Sequence, residues 1–323
     1  MQLVGAVEVD TARLRAFGER HKIPALFSDC AVALRHLRPD VVLIAAPPAL
    51  HAAMCIAALE AGAWALCEKP FCASLAELDR IEAAHLRHLA AEGLLGRPLV
   101  AVCHTLSFRD ASYYAVPWRG KWATEFGGPT MGLGIHAMDH LLHLLGDWAE
   151  IRAQVATLDR AIEVEDASLA LIRFAHGALA AVVNSALSPR QETYLRLDYQ
   201  RATVELTHLY GYTGDNWRFT LAPTAHEEGN SLAQAWQSFP PDTGSTHTAQ
   251  PAEFIHNLDI GTRPLTSGDD ARRTLDLLTA LYKSAFTGRP VARGSILPGD
   301  PFYTALHGDG SPLRAKPAAP ASP

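Results

Sequence analysis

Residues 40–70 read DVVLIAAPPALHAAMCIAALEAGAWALCEKP. The stretch opens with a continuous apolar run, DVVLIAA at 40–46, the pattern of a strand covered on both faces. Pro47 and Pro48 follow. A helical pattern then runs from about Leu50 to Ala61 and stops at Gly62, a residue suited to the left-handed position that ends a helix. WALCEKP at 64–70 is the next strand with its exit turn. Toward the start, LVGAVEV at 3–9 is a β-branched run, and TARLRAFGERH at 11–21 is a helix with Asp10 as its N-cap. Strand and helix therefore alternate through 1–70, which predicts a parallel sheet with right-handed crossovers.

Further along, SLAELDRIEAAHLRHLAAE at 74–92 is one long helical pattern with Ser74 as cap, ended by Gly93 and the GRP at 96–98. From Leu99 the texture changes. LVAVCHTLSF, EIRAQVATL, ASLALIRFA, GALAAVVNSAL, ETYLRLDY and ATVELTHL are strand-like and joined by short turns such as AHG at 175–177. Strand after strand with tight turns predicts an antiparallel sheet. Two helices interrupt it, near 136–145 and 269–287. Residues 225–250 are polar and loop-like, and the tail SPLRAKPAAPASP is of low complexity. The fold class is α/β for the first part and α+β with a large open, mostly antiparallel sheet for the second.

Composition narrows the function. The 323 residues are 48% hydrophobic and 19% charged, a globular balance with room for two domains. Twenty-eight basic residues against 34 acidic ones give a formal charge of −6 and no basic run, which argues against nucleic-acid binding. No apolar run approaches a membrane span, and the first residues, MQLVGAVEVD, are not a signal peptide. Five cysteines (Cys30, Cys55, Cys67, Cys72, Cys103) without CxxC spacing read as reduced core thiols of a cytoplasmic protein.

Four features carry chemistry. Glu8 closes the first strand, where a carboxylate can accept the 2′-hydroxyl of a ribose and repel a 2′-phosphate; it can equally be a solvated strand end. AAPPALH at 45–51 leads from a buried strand into a helix N-terminus, the usual place for a ligand in an open α/β sheet, or is simply a proline-shaped loop. CEKP at 67–70 puts Lys69 at a strand's carboxyl end, where partial desolvation would suit it to take a hydroxyl proton. The alternative is an exposed Glu-Lys pair in a turn. Last, GGPTMGLGIHAMDHLLHLLGD at 127–147 sets His136, Asp139, His140 and His143 on one helix face. They offer an acid–base histidine, or a metal pair from His136 and His140 that lacks a visible third ligand; no metal is assigned. Just before them, YYAVPWRGKW at 113–122 holds Trp118, Arg119 and Trp122, which can stack on and hydrogen-bond a sugar, or anchor a long loop.

Together these segments resemble the glucose-fructose oxidoreductase / inositol dehydrogenase (Gfo/Idh/MocA) family, over residues 1 to about 300. AAPPALH resembles its cofactor loop, CEKP its catalytic-lysine turn, GLGIHAMD its active-site helix and GDDARRTLDLLTALYKSAFTGRPV its closing helix. The resemblance implies a Rossmann domain and an open-sheet domain that oxidise or reduce hydroxyls of sugars and cyclitols with NAD or NADP. By the same match Lys69 and His136 are the proton-handling pair. Glu8 reads the ribose and favours NAD, while Pro47, His51, Glu68, Lys69 and Pro70 line the cofactor. Trp118, Arg119, Trp122 and Asp139 face the substrate. The implied oligomer is a homo-oligomer through the second sheet.

The sequence departs from the family in three places. No GxGxxG occurs, so a strand, glycine turn and helix of roughly 25–30 residues are expected to be missing, weakening dinucleotide binding. A strand after the 74–92 helix is also expected to be missing. Gly132 stands where the family often has an aspartate, four residues before the histidine, which leaves Asp139 as the nearest carboxylate to orient His136. The expected domains are 1–98, an incomplete dinucleotide-binding domain; 99–302, for substrate and oligomerisation; and 303–323, a disordered tail. Two other readings stand beside the enzyme: a non-catalytic relative serving as a binding or dimerisation module, and an incomplete product of a full gene.

Overall fold

The computed structural model describes residues 2–46, 50, 53–54, 57–58, 60–67, 95–208, 216–223 and 268–309. It divides into two compact units, Met1–Ala73 and Ser74–Pro323.

In the first unit β1 (Ala6–Val7) pairs in parallel with β2 (Leu26–Phe27). Between them lies α1 (Thr11–His21). Asp10 caps it as the sequence predicts, its Oδ1 accepting from Ala12 N at 2.9 Å and Arg13 N at 3.1 Å. Leu14 and Gly18 face inward, and a Cβ on Gly18 would meet Leu26 at 2.7 Å, so the glycine lets helix and strand close up. A second helix, α2 (Cys30–Leu37), is capped by Asp29 through Val32 N. β3 (Val41–Ile44) pairs in parallel with β4 (Trp64–Cys67). Residues 50, 53, 54, 57, 58 and 60 are helical between them. That helix ends at Gly62, φ +82°, with Ala63 N donating back to Ala58 O at 2.9 Å, as a glycine C-cap does.

The parallel pairing is as expected, but β2 and α2 were not read from the sequence, and two readings need correction. The run 3–9 yields only two paired residues, because its described partner, β2, is itself two residues long. DVVLIAA is not covered on both faces: Leu43 is 68% exposed. Among the described residues the ladders form two separate two-stranded sheets, β1-β2 and β3-β4, so each keeps an open edge. Helix 74–92 and the tail beyond 309 lie outside the described residues.

The second unit is an eight-stranded sheet. Its strands are β5 (Pro98–Phe108), β6 (Trp148–Ala156), β7 (Ala167–Phe174), β8 (Leu179–Ser185), β9 (Leu187–Tyr199), β10 (Ala202–Thr207), β11 (Trp217–Leu221) and β12 (Val291–Ala292). Their order is β11-β10-β9-β5-β8-β7-β6-β12. Every pairing is antiparallel except β5 with β8. The edge strands β11 and β12 were not read from the sequence.

The strands bury alternate residues on one face. β7, for example, buries Ser168, Ala170, Ile172 and Phe174 and turns Leu169 and Leu171 outward. Two helices belong to the core on the inner face: α5 (Ile135–Leu145) and α6 (Gly268–Thr287). They contribute Leu141, Leu142, Leu277, Leu278, Leu281 and Tyr282, each 0% exposed, to one core with Trp148, Ile151 and Phe174. Each such leucine stabilises the fold by about 1.5–3 kcal/mol. Two short helices come earlier, α3 (Ala111–Tyr114) and α4 (Trp122–Glu125), and α7 (Pro301–Thr304) follows α6 and β12. Cys30 and Cys103 are free thiols, and burial pushes Cys103 up to about 12. Among the described residues no helix is long and apolar enough to cross a membrane.

Candidate active site

His136 is the second residue of α5, and the chain reaches it through an unusual turn. After α4, Phe126 is left-handed at φ +64°; Gly127, Gly128 and Pro129 follow. Thr130–Gly134 then form a π-helical turn that runs into α5. Such wide turns collect at functional sites, because they re-aim the side chains that follow.

A buried carboxylate pins this turn. Glu165, 0% exposed, accepts from Gly128 N at 2.9 Å, Thr130 N at 3.2 Å and the Tyr282 hydroxyl at 2.9 Å. Thr130 Oγ1 donates to Ser168 Oγ at 2.7 Å, and Asn184 Nδ2 donates to the same oxygen at 3.1 Å. Burial raises the Glu165 carboxyl above its usual value even though these hydrogen bonds pull it down; burial likewise raises the Tyr282 hydroxyl. The glycines make the approach possible. A Cβ would stand 1.7 Å from Glu165 O at Gly128, and 2.1 Å from Asn184 Oδ1 at Gly134. The neighbouring Asp166 performs a similar task for the loop before it, accepting from Leu158 N, Asp159 N and Arg160 N.

His136 is half-buried, and its backbone carbonyl accepts from His140 Nδ1 at 2.8 Å. Asp139 Oδ1 accepts from the Thr274 hydroxyl at 2.5 Å, which ties α5 to α6. Among the described residues no three His, Cys, Asp or Glu side chains gather as a metal site would require.

The aromatic segment splits into two. Trp122, expected against substrate, is buried instead: its indole N–H donates to Glu163 O at 3.0 Å, and its ring meets Tyr282 and His307 edge-on. It anchors the segment, because an indole whose N–H is satisfied and whose ring packs in the core gains more there than from water. Arg119 remains by the site. Its guanidinium lies 3.8 Å from the Tyr113 ring centre and 4.3 Å from that of Trp118, and it bonds the Tyr113 hydroxyl. Its Nη1 also faces Glu125 Oε1 at 3.3 Å, and Glu125 Oε2 accepts from Gly120 N at 2.6 Å. Arg109, Tyr113, Tyr114, Glu125, Gly132 and Leu133 line a slot of about 10 Å³ here, room for about one water. A broader open groove at the end of α6, bounded by Lys283, Arg289 and Val291, holds none of the expected site residues.

In the first unit Glu8 follows β1 directly, and its Oε1 accepts from Asp10 N at 3.0 Å. A carboxylate there fits the ribose end of a dinucleotide. Asp10 takes two of the first amide N–H groups of α1, and Asp29 takes one of α2. Pro47, His51, Glu68, Lys69 and Pro70 lie outside the described residues. Glu165, Glu125 and Tyr282 were missed from the sequence. The signal available was EVED at 163–166, acids immediately before an apolar strand, where solvated residues are otherwise expected.

A strand-and-helix unit with an acid directly after its first strand, followed by an open sheet carrying a histidine on a pinned helix, is the layout of a nicotinamide-dependent oxidoreductase. Comparison with known proteins agrees. The pattern of the oxidoreductase family with NAD-binding Rossmann fold matches residues 1–89, and that of the GFO/IDH/MocA C-terminal domain matches residues 83–211. D-apiose dehydrogenase of Paraburkholderia graminis is 29% identical over 91% of this chain and 84% of its own. D-glucoside 3-dehydrogenase of Escherichia coli is 22% identical over 90% of both chains. The structure of the WlbA dehydrogenase of Bordetella pertussis, in complex with NADH and UDP-GlcNAcA, superposes with a TM-score of 0.74 at 24% identity, covering 90% of each chain. The chain belongs to the GFO/IDH/MocA oxidoreductase family. It is an NAD(P)-dependent dehydrogenase of that family, with the nicotinamide dinucleotide bound by its amino-terminal unit.

Proposed function

We propose that the chain oxidises a secondary hydroxyl of a sugar, cyclitol or related polyol, or reduces the corresponding ketone. The nicotinamide, when bound, accepts the hydride from the carbinol carbon. Lys69 and His136 manage the hydroxyl proton, so that the O–H bond breaks to a base as the C=O bond forms. Trp118 and Arg119 contact the substrate. Pro47, His51, Glu68 and Pro70 border the cofactor, and Glu8 selects NAD over NADP by accepting the ribose hydroxyls.

The observation that carries this reading is the placement of His136 on a turn that Glu165, Thr130 and three glycines hold in one conformation. Precise placement of an acid–base group serves proton transfer and does little for a passive surface. The test is NAD reduction, followed at 340 nm, with a panel of sugars and cyclitols, for wild type, Lys69→Ala and Asp139→Asn. Lys69→Ala should lose about 10²–10⁴-fold in rate. Asp139→Asn should lose less, since it acts through Thr274. Equal rates for wild type and Lys69→Ala at matched circular dichroism would overturn the catalytic assignment.

The outward face of the second sheet supports association of copies. Leu169, Leu171, Leu179 and Val100 are 47–64% exposed on it. Register places Leu171 beside Ala181 and Leu179 beside Val100, so the apolar residues are contiguous across three strands.

A further inference from the structure

Gly132 is four residues before His136, in the π-helical turn that leads into α5. What lies against Gly132 is a carboxylate from another element. A Cβ on Gly132 would sit 3.7 Å from Glu125 Oε1. Glu125 is only 7% exposed and is held on both oxygens, by Gly120 N at 2.6 Å and by Arg119 Nη1 at 3.3 Å. Arg119 is itself clamped between Trp118 and Tyr113.

We propose that Glu125 is a positioning residue of the acid–base site: from α4 it supplies the carboxylate that position 132 lacks, and with Arg119 it sets the protonation of His136. Gly132 is the counterpart of this arrangement. An aspartate at 132 would press a second carboxylate on the first, and like charges at that range oppose one another. The small side chain at 132 leaves Glu125 its place and leaves the slot beside it open. A buried ion pair costs more in desolvation than it returns unless its geometry is well supported. Here both partners are supported, and Glu125 stands in the wall of the slot together with Gly132. The charged and titratable groups facing Glu125 are Arg119, Arg109, Tyr113 and Tyr114, with Glu165 beyond Tyr282. His140 faces His136 from its own helix.

The consequence for turnover rests on the dehydrogenase reading above; the test of Glu125 does not. In the full chain, the His136 Cε1–H signal is assigned by its loss in His136→Gln and titrated by NMR. Glu125→Gln should move its midpoint to lower pH by about half a unit, because a nearby anion favours the imidazolium. Arg119→Gln should move it the other way. Glu125→Gln combined with Gly132→Asp should bring it back toward wild type, and Gly132→Asp alone should disturb it. With a substrate found by the sugar panel, kcat should fall about tenfold in Glu125→Gln with its pH profile displaced alike, and recover in the double variant. An unmoved His136 midpoint in folded Glu125→Gln and Arg119→Gln, or purely additive behaviour in the double variant, overturns the proposal. A panel with no turnover bears on the dehydrogenase reading alone, since the titrations still decide Glu125.

Discussion

Gly128→Ala should be among the most damaging single-methyl additions in the second unit. The added Cβ would lie 1.7 Å from Glu165 O and 2.8 Å from its carbonyl carbon, both backbone atoms that no rotamer change can clear. A carbon needs roughly 3.3 Å from a carbonyl oxygen. The two segments therefore have to part by about 1.6 Å, the difference of those distances. That separation breaks the 2.9 Å bond from Gly128 N to Glu165 Oε2 and strains the 2.8 Å bond from Gly132 N to Gly128 O that opens the π turn. Overpacking costs about 1–3 kcal/mol. A lost hydrogen bond to a buried carboxylate costs about 1.5–3 kcal/mol more. The stiffer unfolded chain returns about 0.4–1 kcal/mol. The net expectation is about 3–4 kcal/mol, which lowers a urea midpoint by about 1 M at a slope near 3 kcal/mol/M. Urea denaturation followed by circular dichroism measures it. The control is Gly146→Ala in the same unit, where φ is +78° and ψ −143°, a nearly glycine-only conformation, but nothing lies within 4 Å, so backbone strain of about 1–3 kcal/mol is the whole cost. If Gly128→Ala proved no worse than Gly146→Ala, the close approach of Gly128 to Glu165 would not exist in the folded protein.

Burial holds the Glu165 carboxyl above its ordinary value, so the folded chain keeps that proton to higher pH than the unfolded chain does. Stability should therefore fall as pH rises from the ordinary carboxylate range to the folded value, then level. Glu165→Gln cannot ionise and should lack that fall; parallel stability profiles for the two would contradict it. Leu171→Lys, at the centre of the exposed sheet face, should shift the chain toward monomer in light scattering, whereas an unchanged mass would assign association to another surface.

Local signals were legible wherever one side chain satisfies its own backbone. Asp10 bonding two amides of α1 and Gly62 ending its helix at positive φ were both readable, because the cause and the effect lie within a few residues. The long strands of the second sheet were readable from alternation, which reports a face buried along each strand. What was illegible depends on a distant partner. β12 is two residues, Val291 and Ala292, and exists only because β6 offers an edge to it. Glu165 was not singled out, because the groups that converge on it, Gly128, Thr130 and Tyr282, come from up to 117 residues away. Trp122 looked like a ligand-facing indole for the same reason: Tyr282 and His307 cover it from far along the chain.

The position of β5 has a consequence for how the chain acquires its structure. β5 is the first strand of its sheet in sequence, yet it lies between β9 and β8, in parallel with the latter. Its central residue Cys103 must wait for Val182 and Leu195 before either ladder can close. The pairs β6-β7 and β7-β8 need no such wait, being consecutive strands joined by ten and four residues. During synthesis at roughly 5–20 residues per second, β5 therefore emerges several seconds before its neighbours. For that interval its apolar edge residues are exposed, and non-local closure of this kind is slow. The meander β6-β7-β8 is the natural nucleus, and insertion of β5 between β8 and β9 is the late, rate-setting event. A chaperone that shelters residues 98–108 over that interval would raise the yield of folded chain more than one acting on any later strand.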